Sequence, residues 1–130
     1  MREILFRGKR LDNGAWETGS LVIVRMDCHD AQYYIADKMT GYHTPVDPST
    51  VGQYTGLKDK NGKRIFDGDV AKVLQGKDKD IAYVGFENGA FMLYPKTGNI
   101  YERTLWSYWY NDWDVEVVGN ITDNPELLEK

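Results

Sequence analysis

Asp67 and Asp69 stand on either side of Gly68. Carboxylates at i and i+2 share one face of an extended strand, so the pair could aim at one metal ion or divide acid–base work. A calcium loop needs further spaced carboxylates and a terminal Glu, which the surrounding "KRIFDGDVAKV" lacks. The same region offers a phosphate chemistry, because Gly56 and Gly62 precede Lys63. A phosphate-cradling loop, however, continues from Lys to Ser or Thr and into a helix, and here Arg64 follows. Turn chemistry covers more of the stretch. Asn61-Gly62 in "KDKNGKRI" supplies the central pair of a type I′ hairpin turn, with Asp59 and the lysines as its solvated tip. Asp67-Gly68-Asp69 reads as a turn or bulge, with Gly68 at positive φ and an aspartate accepting hydrogen bonds from nearby amides.

Three other groups have side chains of the right type. Cys28, His29 and His43 are zinc ligands by type. Zinc prefers four ligands in recognisable pairs, and neighbours such as Cys28 and His29 point apart on a strand, so the expectation is no metal site. "WSYWYNDW", residues 106–113, concentrates Trp106, Tyr108, Trp109, Tyr110 and Trp113. As a strand it places Trp106, Tyr108 and Tyr110 on one face; as a helix it aligns Leu105, Trp109 and Trp113. The aromatics serve either as core and subunit interface or as a contact surface for bases or a peptide. Basic residues gather at Arg7, Lys9 and Arg10 and again at Lys58, Lys60, Lys63 and Arg64. They are solvated hairpin tips or, if brought together, a patch for phosphates. The candidate contact residues are therefore Trp106, Tyr108, Trp109, Tyr110, Trp113, Lys60, Lys63 and Arg64.

The totals limit the partners. A chain of 130 residues, 42% hydrophobic, can bury a real core in one domain. A net charge of −4 excludes a uniformly basic nucleic-acid surface but not a local basic patch. One cysteine rules out an internal disulfide and fits a reducing compartment. The N-terminus carries no signal-peptide apolar core, and no apolar run approaches the roughly 20 residues of a membrane span, so a cytoplasmic protein without membrane contact is expected. No cofactor loop stands out.

The elements that must position these residues are short strands. "EILFRGKR", "AWETGSLVIV", "QYYIAD", "IFDGDVAKV", "DIAYVGF", "GAFMLY" and "DWDVEVVGNI" alternate or run apolar, and "LDNG" and "ENG" mark hairpins between them. "TGYHTPVDPST" holds two prolines and reads as loop. "TDNPELLEK" begins like a helix, with Asp123 or Asn124 as cap and Pro125 in the first turn. No strand–helix alternation or fixed-period repeat appears, which points to a small all-β barrel or sandwich.

"VGQYTGLKDKNGKRIFDGDVAKV" (51–73), "VVGNITDNPELL" (117–128) and the opening "MREILFRGKRLDNGAW" together resemble the YopX family of phage and prophage proteins of Gram-positive bacteria. The resemblance implies an all-β fold: an N-terminal β subdomain over residues 1–55, an SH3-like barrel over 56–122 and a short helical tail over 123–130. It implies no activity and transfers no catalytic residue. The expected protein is a phage-encoded accessory module, binding a protein or nucleic-acid partner or a second copy of itself. The alternative is a small enzyme built on Asp67 or Asp69.

Overall fold

The computed structural model describes residues 2–26, 30–111 and 113–129, with the side chains of Trp109 and Tyr110 outside that description. The chain is mostly strand and divides into two compact units, Met1–Tyr54 and Thr55–Lys130.

In the first unit the strands are β1 (Phe6–Lys9), β2 (Trp16–Val24), β3 (Gln32–Ala36), β4 (His43–Pro45) and the beginning of β5 (Gly52–Lys58). They pair antiparallel in the order β4-β3-β2-β1-β5. β1 and β2 pair from Phe6 opposite Gly19 to Lys9 opposite Trp16. That register brings the Arg7 guanidinium 4.7 Å and the Lys9 ammonium 5.7 Å from the Trp16 ring, so two cations of one strand face lie against one indole. The segment "TGYHTPVDPST" is not all loop, because β4 lies within it. Pro45 is tolerated there because β4 ends the sheet, where no further ladder needs its missing N–H. After β4, Asp47 caps a single 3₁₀ turn (Pro48–Thr50) by accepting from the Ser49 amide at 3.0 Å. Leu5, Ile35, Val46 and Tyr54 are buried.

In the second unit, β5 is followed by β6 (Arg64–Phe66), β7 (Asp69–Gln75), β8 (Asp78–Glu87), β9 (Ala90–Pro95), β10 (Arg103–Thr104), α1 (Leu105–Tyr110), β11 (Asp114–Asn120) and a 3₁₀ turn (Pro125–Leu128). Five strands pair antiparallel in the order β10-β9-β8-β7-β11, with a bulge between Val117 and Gly119. This order is open-ended and does not of itself close a barrel. Period-two alternation sends Ala71, Val73, Ala82, Val84, Leu93, Val115 and Val117 into one core. Leu105 and Tyr108, one helical turn apart on α1, enter the same core with Ile65 and Ile100. The aromatic stretch is thus helical up to Tyr110, and the strand alternative does not hold. Helical spacing lets residues i and i+3 share the buried face that period two would have split.

Of the two Asn-Gly turns, one keeps its sequence reading and one departs from it. The β8–β9 turn has positive φ at both Asn88 (53°) and Gly89 (82°), as type I′ requires. The β5–β6 connection does not: only Gly62 is left-handed, at 81°, and residues 59–63 form a longer loop. The tail also departs from expectation. Asn124 stands at the N-cap of a 3₁₀ turn rather than an α-helix and makes no cap bond. Its Oδ1 instead accepts from the Asn120 amide at 3.2 Å.

Candidate functional site

The acidic residues of the second unit act on the backbone. Asp69 is 1% exposed, and its Oδ2 accepts from the Phe66 amide at 2.7 Å, closing the turn in which Gly68 has φ +92°. The turn reading of Asp67-Gly68-Asp69 is therefore the structure's own, since a buried carboxylate must find donors and the tight turn presents one. Asp59, expected in a solvated tip, is buried. Its Oδ1 accepts from the amides of Asn61 and Lys63 and its Oδ2 from the amide of Val117 on β11, each at 2.9 Å. Burial works to raise its pKa. The three amides, with the nearby Lys63 charge, outweigh burial and leave the carboxyl below the ordinary range.

Asp80, on β8, was not singled out by sequence. It is buried and gathers the loop after β9. Oδ1 accepts from the Ile81 amide at 2.8 Å; Oδ2 accepts from the Thr97 hydroxyl at 2.8 Å and from the Asn99 amide at 3.2 Å. The Thr97 amide lies 3.2 Å from both oxygens. Here too burial pushes upward and the donors from Thr97, Ile81 and Asn99 prevail, so the pKa is lowered. The depression beside this loop has a volume of about 300 Å³ and is ringed by Lys72, Lys79 and Lys96.

The aromatic stretch divides. Tyr108 is fully buried, its hydroxyl donates to the Tyr101 carbonyl at 2.5 Å, and burial pushes its phenol pKa upward. It belongs to the core and not to a surface. Trp113 is partly buried, edge-on to Tyr108 with ring centres 5.1 Å apart. Trp106 is 55% exposed and Tyr101 74% exposed. The Arg103 guanidinium carbon lies 5.7 Å from the Tyr101 ring and 5.6 Å from the Trp113 ring. The side chains of Trp109 and Tyr110 lie outside the described residues, as do Cys28 and His29. His43 places Nδ1 2.8 Å from the Gly41 carbonyl. Among the described residues no three His, Cys, Asp or Glu side chains gather as a metal-ligand group.

The basic residues also separate. Arg10 is held by Asp12 at 2.7 Å and Glu17 at 3.1 Å, so its charge is matched within its own hairpin. Lys60 approaches Glu116 at 3.9 Å, while Lys63 and Arg64 are exposed. Sequence reading missed Tyr101, Arg103 and the three lysines of the depression. Lys72 did carry a signal: a charge within the valine-rich "VAKV" marks the face of β7 turned away from the core.

Two antiparallel sheets and one short helix define an all-β protein, on which Tyr101 and Trp106 are exposed and Arg103 lies across the Tyr101 and Trp113 rings. The YopX protein family model matches residues 5–129, and the chain belongs to that family. Among solved structures it resembles protein yopX from Bacillus subtilis, with 21% identity and a TM-score of 0.60 over 96% of this chain and 98% of that one. It also resembles protein EF1440 from Enterococcus faecalis, with 22% identity and a TM-score of 0.60 over 99% and 100%. Identities this low bear on the fold alone. No curated protein matches the chain. Among the described residues no helix is long and apolar enough to cross a membrane.

Proposed function

We propose that this is a phage- or prophage-encoded accessory protein that acts by binding, without catalysis, through the surface formed by Tyr101, Arg103 and Trp106. The observation that supports this reading is the approach of Arg103 to the Tyr101 and Trp113 rings, with Trp106, three residues further along the chain, exposed. Tyrosine, tryptophan and arginine are the residues that dominate interface energetics, and planar rings with a guanidinium also stack on bases. Residues 56–122 are read as an SH3-like barrel. In support, the loop between β5 and β6 joins β11, with the Lys60 amide donating to the Val115 carbonyl at 3.0 Å. The enzyme alternative gains nothing from Asp69, whose buried carboxylate is engaged by the Phe66 amide.

The test is affinity capture from infected host cells, with and without nuclease, using the parent and Arg103→Ala or Trp106→Ala variants of unchanged thermal stability. A partner kept by the parent and lost by either variant is the expected result. Nuclease sensitivity separates a nucleic-acid partner from a protein, and sedimentation of the pure protein reveals a second copy. Capture that is identical for parent and variants would overturn the assignment of this surface.

A further inference from the structure

The depression beside the Asp80-held loop contains a charge arrangement that neither the fold nor the aromatic surface requires. Lys72 lies on β7 and Lys79 on β8, both interior strands in the order β10-β9-β8-β7-β11. Lysines that blunt a sheet edge serve no such purpose here. Lys96 follows β9 at the same level, its amide donating to the Ile81 carbonyl at 2.7 Å. Lys72 and Lys79 make no ion pair among the described residues. Glu116, opposite Lys72 on β11, has Lys60 at 3.9 Å. Lys96 donates one hydrogen bond to the Leu127 carbonyl at 3.3 Å and keeps further donors.

The one carboxylate at this site, Asp80, is already saturated. Its oxygens take the Ile81, Thr97 and Asn99 amides and the Thr97 hydroxyl, which disperse its charge into the loop. Three ammonium groups therefore surround a concavity of about 300 Å³, in a chain whose net charge is −4. That volume is at the small end of ligand sites and suits a compact anion. Three point charges exceed what one carboxylate can neutralise, whereas a phosphate or linked phosphates match them. Ile81 lines the site with apolar surface, where a base or other ring can rest.

From this geometry we infer that the Lys72–Lys79–Lys96 depression binds phosphate groups, either of a small phosphorylated molecule or of a nucleic-acid backbone. The site uses none of Tyr101, Arg103 or Trp106, so it stands or falls separately from the proposed contact surface.

The test is titration of isotopically labelled protein with inorganic pyrophosphate and, separately, with a short oligothymidylate at low salt, followed by amide chemical shifts. Saturable shifts at Ile81, Thr97 and Asn99 are expected. The double variant Lys72→Gln/Lys79→Gln, checked for unchanged melting, should weaken binding by about tenfold or more, as losing two charge contacts from one phosphate site implies. Lys63→Gln, on the other loop, should leave it unaltered. Tighter binding of the oligothymidylate than of pyrophosphate identifies the backbone as the source, and the reverse identifies a small molecule. No saturable shifts with either probe, or equal weakening by Lys63→Gln, would overturn the site and show only diffuse attraction.

Discussion

Asp59 and Asp80 are both buried carboxylates, and both accept only from the main chain or a neighbouring hydroxyl, yet they hold different things. Asp59 takes two amides from its own loop and a third from Val117, which lies 58 residues further along the chain and is buried. It replaces a rung of the sheet, joining the β5–β6 loop to β11 where the ladder has no strand to offer. Apart from the adjacent Ile81 amide, Asp80 takes its donors from Thr97 and Asn99, which are exposed, and its cluster shapes the wall of the lysine-ringed depression. One carboxylate is part of the frame and the other part of a surface feature. The same residue type, buried to a similar degree, thus serves architecture in one place and the shape of a candidate site in the other.

The difference predicts unequal costs. Asp59→Ala leaves a buried amide, Val117, with no acceptor that water can replace, together with two loop amides. The loss should be about 3 kcal/mol of folding stability, the upper range for hydrogen bonds to a charged group. Asp80→Ala exposes amides that solvent can reach, so about 2 kcal/mol is expected, together with faster hydrogen exchange confined to residues 97–99. Urea unfolding of the two variants measures this directly. Equal losses, or a larger loss at Asp80, would mean that the loop after β9 is as structural as the joint at β11.

Acid should affect both, by a smaller amount, because a protonated carboxyl still accepts hydrogen bonds through its carbonyl oxygen. Both groups have folded-state pKa values below the ordinary carboxylate value. Their contribution to stability is therefore complete above the unfolded value of about 3.9 and lost as pH falls through the lower folded values. Unfolding free energy should decline below about pH 4, and Asp59→Asn and Asp80→Asn should each flatten that decline. A variant as acid-sensitive as the parent would show that its carboxylate is not anchored as described.

How far all this could be read in advance depended on whether the signal was local. The hairpins at "LDNG" and "ENG", the buried alternation of β7, β8 and β11, and the turn at Asp67-Gly68-Asp69 are set by neighbouring residues and were legible. Asp59 was not, because its burial depends on Val117, far away in sequence; among lysines it looked like any exposed acid. The depression was invisible for the same reason. Lys72, Lys79 and Lys96 belong to three segments that only strand order brings together. Arg103 and Tyr101 lie just outside the aromatic run 106–113, and inside that run Tyr108 enters the core because a helix, rather than a strand, sets the spacing.

The finest comparison uses two glycines. Gly62 lies in the loop held by Asp59 and Gly98 in the loop held by Asp80, with φ of 81° and 80°. A Cβ at either would meet nothing within 4 Å, so substitution incurs no clash and tests the backbone alone. An L-residue in the left-handed region costs about 1 kcal/mol if the backbone cannot move away. The Asp59 loop is tied at Asn61, Lys63 and Val117 and has little freedom to relax, so Gly62→Ala should incur that full cost. The Asp80 loop is tied at Thr97 and Asn99 to the neighbouring strand β8, but its residues are exposed and have room to relax, so Gly98→Ala should cost less, with the strain spread into neighbouring turns. Thermal melts of the two variants, run side by side, decide the matter. A larger loss at Gly98 would show that the loop beside the depression is the more rigid of the two, and the division between frame and surface drawn from the two aspartates would have to be reversed.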